Sequence, residues 1–144
     1  MYEDKKGDLH MNLKVNKKAP LLSQGEYQAR VISFNEMQDK SKAVIVLGIN
    51  GQHYNVWLDE SREITYKDLQ GQIITTTQAQ MVFDSIVAQL ANNPLLANAQ
   101  TMDEIIGILL MDTTVLTVYV TVFENRLNNF HFYKPKNFDA KNII

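Results

Sequence analysis

The side chains able to do chemistry in this chain are few and widely spaced. Its three histidines, His10, His53 and His131, form neither an HxH nor an HExxH pair, and there is no cysteine to act as nucleophile, metal ligand or disulfide partner. No glycine-rich phosphate loop and no G-x-S-x-G elbow is present. Asp59-Glu60 and Asp103-Glu104 are adjacent acid pairs. Neighbours in a strand or helix point apart, so these read as solvated or capping carboxylates and not as a shared acid-base or metal site. The expectation is a protein without catalytic residues, metal, cofactor or small-molecule substrate.

A different chemistry, stacking and phosphate contact, is open to the aromatic and basic residues. If Tyr54, Val56 and Leu58 face a core, then His53, Asn55 and Trp57 face outward, and an outward tryptophan needs an occupant. Two occupants fit: a stacked base, or the amino-terminal arm or a helix of the same chain. Tyr119 and Phe123 pose the same choice on a later strand. Arg30, Lys40 and Lys42 could flank these rings and meet phosphates, and Lys134 and Lys136 could extend the path. Bulk charge gives no help, since the formal net charge is -2. Residues 21 to 134 hold seven basic and twelve acidic side chains, so nucleic-acid binding would need a local basic groove combined with stacking.

The elements that must position these residues follow from periodicity. Tyr27, Ala29 and Val31 alternate with Gln28 and Arg30 in a first strand over Gly25 to Asn35. Ala43 to Ile49 reads as a second, largely buried strand, and Gln52 to Leu58 as a third. Asn50-Gly51 between them is a strong hairpin signal, because both turn positions need positive φ. The period then lengthens. Thr75 to Thr77 can cap a helix over about 78 to 91, with Ala79, Val82, Phe83, Ile86 and Leu90 at three- and four-residue spacing. Thr101-Met102-Asp103-Glu104 has capping-box form and opens a second short helix to about 110. Val115 to Phe123 is a fourth strand with Leu116, Val118, Val120 and Val122 on its core face, Asn125 to Asn129 a turn, and Phe130 to Lys134 a fifth strand.

This order predicts a mainly β fold with an α insert: a five-stranded OB-fold barrel with the helices between strands three and four. Residues 1–20 read as a flexible amino-terminal arm, 21–136 as the OB-fold domain and 137–144 as a short carboxy-terminal tail. In the arm, Leu9, Met11, Leu13 and Val15 alternate with polar residues, a strand pattern outside the barrel. It could lie on its own barrel or add to a neighbouring copy's sheet edge, giving a homo-oligomer. The first residues mix lysines with Glu3, Asp4 and Asp8 and contain no apolar core of a signal peptide, and no stretch approaches the ~20 apolar residues of a membrane span. A cytoplasmic protein without membrane association is expected.

The run Leu21-Leu22-Ser23-Gln24-Gly25-Glu26-Tyr27-Gln28-Ala29-Arg30-Val31, the Asn50-Gly51 hairpin and the late Asn128-Asn129-Phe130 strand resemble the OB-fold single-stranded DNA-binding proteins of phages and conjugative plasmids in Gram-positive bacteria. The resemblance covers roughly residues 20 to 136. It implies non-catalytic, largely sequence-independent protection of single-stranded DNA over aromatic side chains, in an oligomer, in plasmid transfer or phage replication. Two features depart from the wider class. The end, Lys136 to Ile144, is short and slightly basic where housekeeping members resemble one another in a long tail with an acidic, aromatic tip, and the helical insert is larger than a barrel plug requires. The alternative from the residues is an OB-fold protein-interaction adaptor without nucleic-acid binding, for which the acidic surplus is natural.

Overall fold

The computed structural model describes residues 19–138. The arm residues Leu9, Met11, Leu13 and Val15 and the histidine at 10 lie outside this range. Strands β1 (Gly25–Glu36), β2 (Lys42–Ile49) and β3 (Gln52–Asp59) form an antiparallel meander. Its second turn is the expected one: Asn50 and Gly51 have φ of 52° and 77°, and Ile49 pairs directly with Gln52 across them.

β1 serves two neighbours. Gly25 to Ala29 pair with β6 (Leu116–Phe123), whereas Arg30 to Glu36 pair with β2. The switch falls beside a bulge between Val31 and Ser33, where Ile32 has no partner on β2. Such an extra residue bends the strand and increases its twist, which lets one long strand wrap around the core. β7 (Leu127–His131) completes a sheet of order β3-β2-β1-β6-β7.

Between β3 and β6 the chain makes a second hairpin, β4 (Glu63–Lys67) and β5 (Ile73–Thr77), then helix α1 (Gln78–Gln89), a 3-10 turn (Pro94–Asn98) and helix α2 (Met102–Leu109). Both helices start where capping chemistry places them. The Thr77 hydroxyl accepts from the Gln80 N–H at 3.0 Å, and Thr101 and Glu104 form a reciprocal capping box. In chain order the helices fall between the third and fourth strands of the five-stranded sheet, as expected. The β4-β5 hairpin, a separate two-stranded sheet, was not expected.

The core lies inside the curved sheet. Alternation turns Val31 of β1, Ile45, Leu47 and Ile49 of β2, Tyr54, Val56 and Leu58 of β3 and Leu116, Val118 and Val120 of β6 inward. Ile86 of α1, Leu90 at its C-cap, and Ile108 and Leu109 of α2 cover them. Each fully buried aliphatic side chain contributes about 1.5–3 kcal/mol relative to exposure.

Two expectations are corrected. The sheet is not a closed five-stranded barrel: β3 and β7 are its edges, and no ladder joins them. Chain segments and side chains occupy that seam and take up edge groups that a closing ladder would have used. The fifth strand begins three residues earlier than expected, because Glu124 and Asn125 adopt φ of 52° and 56° and complete the turn before Leu127. Both ends of the described segment pack against the rest of the fold. Ala19 packs against the core, Pro20 accepts a hydrogen bond from Tyr54, and Phe138 is buried with its carbonyl accepting from the Gln24 amide at 2.7 Å. Among the described residues no helix is long and apolar enough to cross a membrane.

Candidate nucleic-acid interface

The seam between β3 and β7 is a groove with a defined floor and two ends. At one end α1 spans it. The Gln78 side chain accepts from the Asp59 N–H at 2.6 Å and donates to the Trp57 carbonyl at 2.9 Å, both on the β3 edge. At the helix's other terminus the Gln89 amide donates to the Thr117 and Phe132 carbonyls and accepts from the Thr117 N–H, at 2.7–2.8 Å. At the far end of the seam the segment preceding β1 crosses it. Tyr54 on β3 donates its hydroxyl to the Pro20 carbonyl at 2.8 Å, while the Asn128 side chain on β7 pairs with both backbone groups of Leu22 at 2.9 Å. In the middle, the Tyr54 and Phe130 rings meet across the gap, their centroids 5.6 Å apart. Burial raises the Tyr54 phenol above its ordinary pKa, so it remains a donor.

Two cavities lie along this seam, of about 400 and 320 Å³, and they share Asn55, Asn128 and Phe130. The larger is lined by Trp57 of β3, Arg62 and Ile64 at the base of the β4-β5 hairpin, and His131 and Tyr133 from β7 and the residues after it. The smaller is lined by His53, Arg126 and Leu21. Among the described residues, no carboxylate lines either cavity. Aromatic rings, two arginines, two histidines and the amides of Asn55, Asn129 and Gln78 do. Arg126 also contacts Glu124, 3.0 Å away outside the groove. Burial holds His131 below its ordinary pKa, with its Nε2 3.2 Å from the Thr121 hydroxyl, so at neutral pH it offers a neutral ring. Its ring is edge-on to Tyr133 at 6.1 Å.

The residues singled out by the sequence divide between this groove and other places. Trp57 and His53 belong to it. Both face outward on β3 as expected, and Trp57 is 53% exposed, so neither α1 nor residues 19–24 cover it. Arg30 shares an outward row with His53 across Gly48, over which the Ile32 side chain lies. Its guanidinium is held by the exposed Asp112 carboxylate. Lys40 and Lys42 line a different cavity, of about 310 Å³, together with Glu36 and Glu60. There Lys42 pairs in the ladder with Asp59. The Asp39 and Asp59 carboxyls beside it are held below their ordinary pKa, first by the Ser41 and Ser61 hydroxyls and to a smaller degree by Lys42. That corner carries mixed charge and no basic patch.

Tyr119 is half-buried and edge-on to Phe138, with centroids 5.5 Å apart and planes at 83°, so the carboxy-terminal segment occupies the face expected to stack a base. Phe123 is exposed at the end of β6, paired with Leu127 and not part of either seam cavity. Lys134 and Lys136 are exposed on the segment that follows Tyr133. Arg62, Tyr133, His131 and Arg126 are groove residues that sequence reasoning missed. The one available signal was the alternation of Phe130 and Phe132 with His131 and Tyr133.

No family model, curated protein or solved structure matches this chain.

Proposed function

We propose that this protein is a non-catalytic, largely sequence-independent single-stranded DNA-binding protein, and that the seam between β3 and β7 is its binding groove. One observation carries the reading. In a chain whose residues 21 to 134 hold more acids than bases, the seam is walled by exposed Trp57 and Tyr133, Arg62 and Arg126, with no carboxylate in its described lining. Aromatic faces combined with a cationic track are what sequence-tolerant single-strand binding requires, since every base has a stacking face and every nucleotide a phosphate. The side-chain amides along the seam add donors and acceptors without adding charge.

The fold is read as an OB-type barrel left open at one seam. The long, bulged β1 shared between β2 and β6, and the helices between the third and fourth strands of the main sheet, support that reading. The arm bearing Leu9, Met11, Leu13 and Val15 is proposed to join copies of the chain along DNA, in the cytoplasm, in the setting of plasmid transfer or phage replication.

A second reading has its own observation. β3 is an edge strand, and the backbone groups of His53 and Asn55, which alternate with those bonded to β2, face the groove without a strand partner among the described residues. An extended peptide could add there, as an adaptor requires. Titration of a labelled oligonucleotide at increasing salt separates the two. The DNA reading expects binding with a negative dependence of log K on log salt, and absence of binding at physiological ionic strength would leave the adaptor.

A further inference from the structure

The β4-β5 hairpin has no counterpart in the expected barrel, and among the described residues its strands pair only with each other. A two-stranded hairpin is marginal alone, so its faces should be covered. Its base is. The Gln78 N–H bonds the Arg62 carbonyl at 2.8 Å, while the Gln78 side chain holds the β3 edge at Trp57, which fixes the hairpin beside that ring. Its far half is not: Tyr66 is 45% exposed, Ile73 69% and Leu69 at the tip fully so.

Ladder register puts Ile64 opposite Thr76 and Tyr66 opposite Ile74, so these four side chains share one face. Ile64 lines the same cavity as Trp57 and Arg62. That face contains no acid: Glu63 projects from the other side, and the Asp68 carboxylate is turned back onto the Gln70 and Gln72 N–H groups at 2.9 Å. Tyr66 follows Ile64 by two residues, about 7 Å along the strand.

We propose that this hairpin face continues the groove, and that Tyr66 stacks a base of the same DNA strand beyond the one on Trp57. The inference rests on the reading of the seam as a single-strand groove. It gives the hairpin a partner of defined chemistry, an extended polynucleotide already anchored next to it, and it lengthens the site.

The test compares labelled oligothymidylates of about 4 and about 16 nucleotides, the range of sites known for single OB folds. Tyr66→Ala is expected to leave the short oligomer's affinity unchanged and to weaken the long one about 5- to 150-fold, whereas Tyr66→Phe binds both as wild type. Trp57→Ala is expected to weaken both. Tyr66→Leu, which keeps an apolar contact and removes the ring, reads the same difference should the alanine variant not fold. Wild-type affinity of Tyr66→Ala and Tyr66→Leu for the long oligomer, with Trp57→Ala still weakened, overturns the hairpin's role and leaves the groove standing. Equal weakening on both lengths also overturns it. If wild type binds neither oligomer, the groove reading itself falls and the hairpin's role with it.

Discussion

Gln78 and Gln89, at the two ends of α1, hold backbone groups on opposite sides of the open seam: Trp57 and Asp59 of β3 by the first, Thr117 of β6 and Phe132 after β7 by the second. Eleven residues apart, they lie just over three full helical turns from one another and so on the same face of the helix. Two neutral amides thus do at the seam what a closing ladder does in a complete barrel.

Gln89→Ala removes three partners from part-buried backbone groups, and an unsatisfied buried group costs about 1–3 kcal/mol. The expected loss of stability is about 2–3 kcal/mol, against about 1 kcal/mol for the more exposed Gln78→Ala. The two sites lie about 16 Å apart along the helix and share no partner, so the double variant should be additive within about 0.5 kcal/mol. Urea denaturation of the four proteins checks both statements.

Much of the meander and both helix starts were legible because their signals are local: positive φ at Asn50-Gly51, a hydroxyl at Thr77, the Thr101/Glu104 box. The β4-β5 hairpin was not, although Ile64, Tyr66, Ile73 and Thr75 have β composition. Its turn is closed by Asp68 and Gly71 and lacks an Asn-Gly pair, and the threonines leading into α1 drew the reading toward a cap. The site was only partly legible for a different reason. Alternation exposed Trp57 and His53 correctly, but which strands remain edges, and that Phe138 returns to cover Tyr119, depend on contacts between residues distant in sequence. Lys40 and Lys42 looked like phosphate ligands because their carboxylate neighbours Asp59 and Glu60 come from another strand.

Acid should weaken the fold in two stages. Burial lowers the pKa of His131, so the folded state favours the neutral ring. Stability is fully present above about pH 6.5 and declines as pH falls below it, because the unfolded chain takes up that proton first. Hydrogen bonds from the Gln100 N–H and the Thr101 hydroxyl and N–H lower the pKa of Glu104. Its contribution is present above about pH 4.3 and is lost as pH falls through its lowered value. In urea midpoints measured against pH, His131→Gln should remove the first decline, and Glu104→Gln should reduce the second.

The salt dependence of binding discriminates between basic residues. Arg62→Ala, in the seam, is expected to weaken oligonucleotide binding and to make the slope of log K on log salt shallower by about 0.7, the value for one phosphate contact on a single strand. Lys42→Ala, among Asp39, Asp59 and Glu60, should leave affinity and slope as in wild type. The opposite pattern would move the DNA path to the far cavity.

Stacking on Trp57 is the core of the account, and the chain holds a single tryptophan, so its emission reports on one ring. Saturating the full-length protein with single-stranded DNA is predicted to quench that emission, and Trp57→Ala to cost about 1–3 kcal/mol of binding free energy with the fold intact. Emission that stays unchanged while an independent label on the DNA reports saturation would contradict the account.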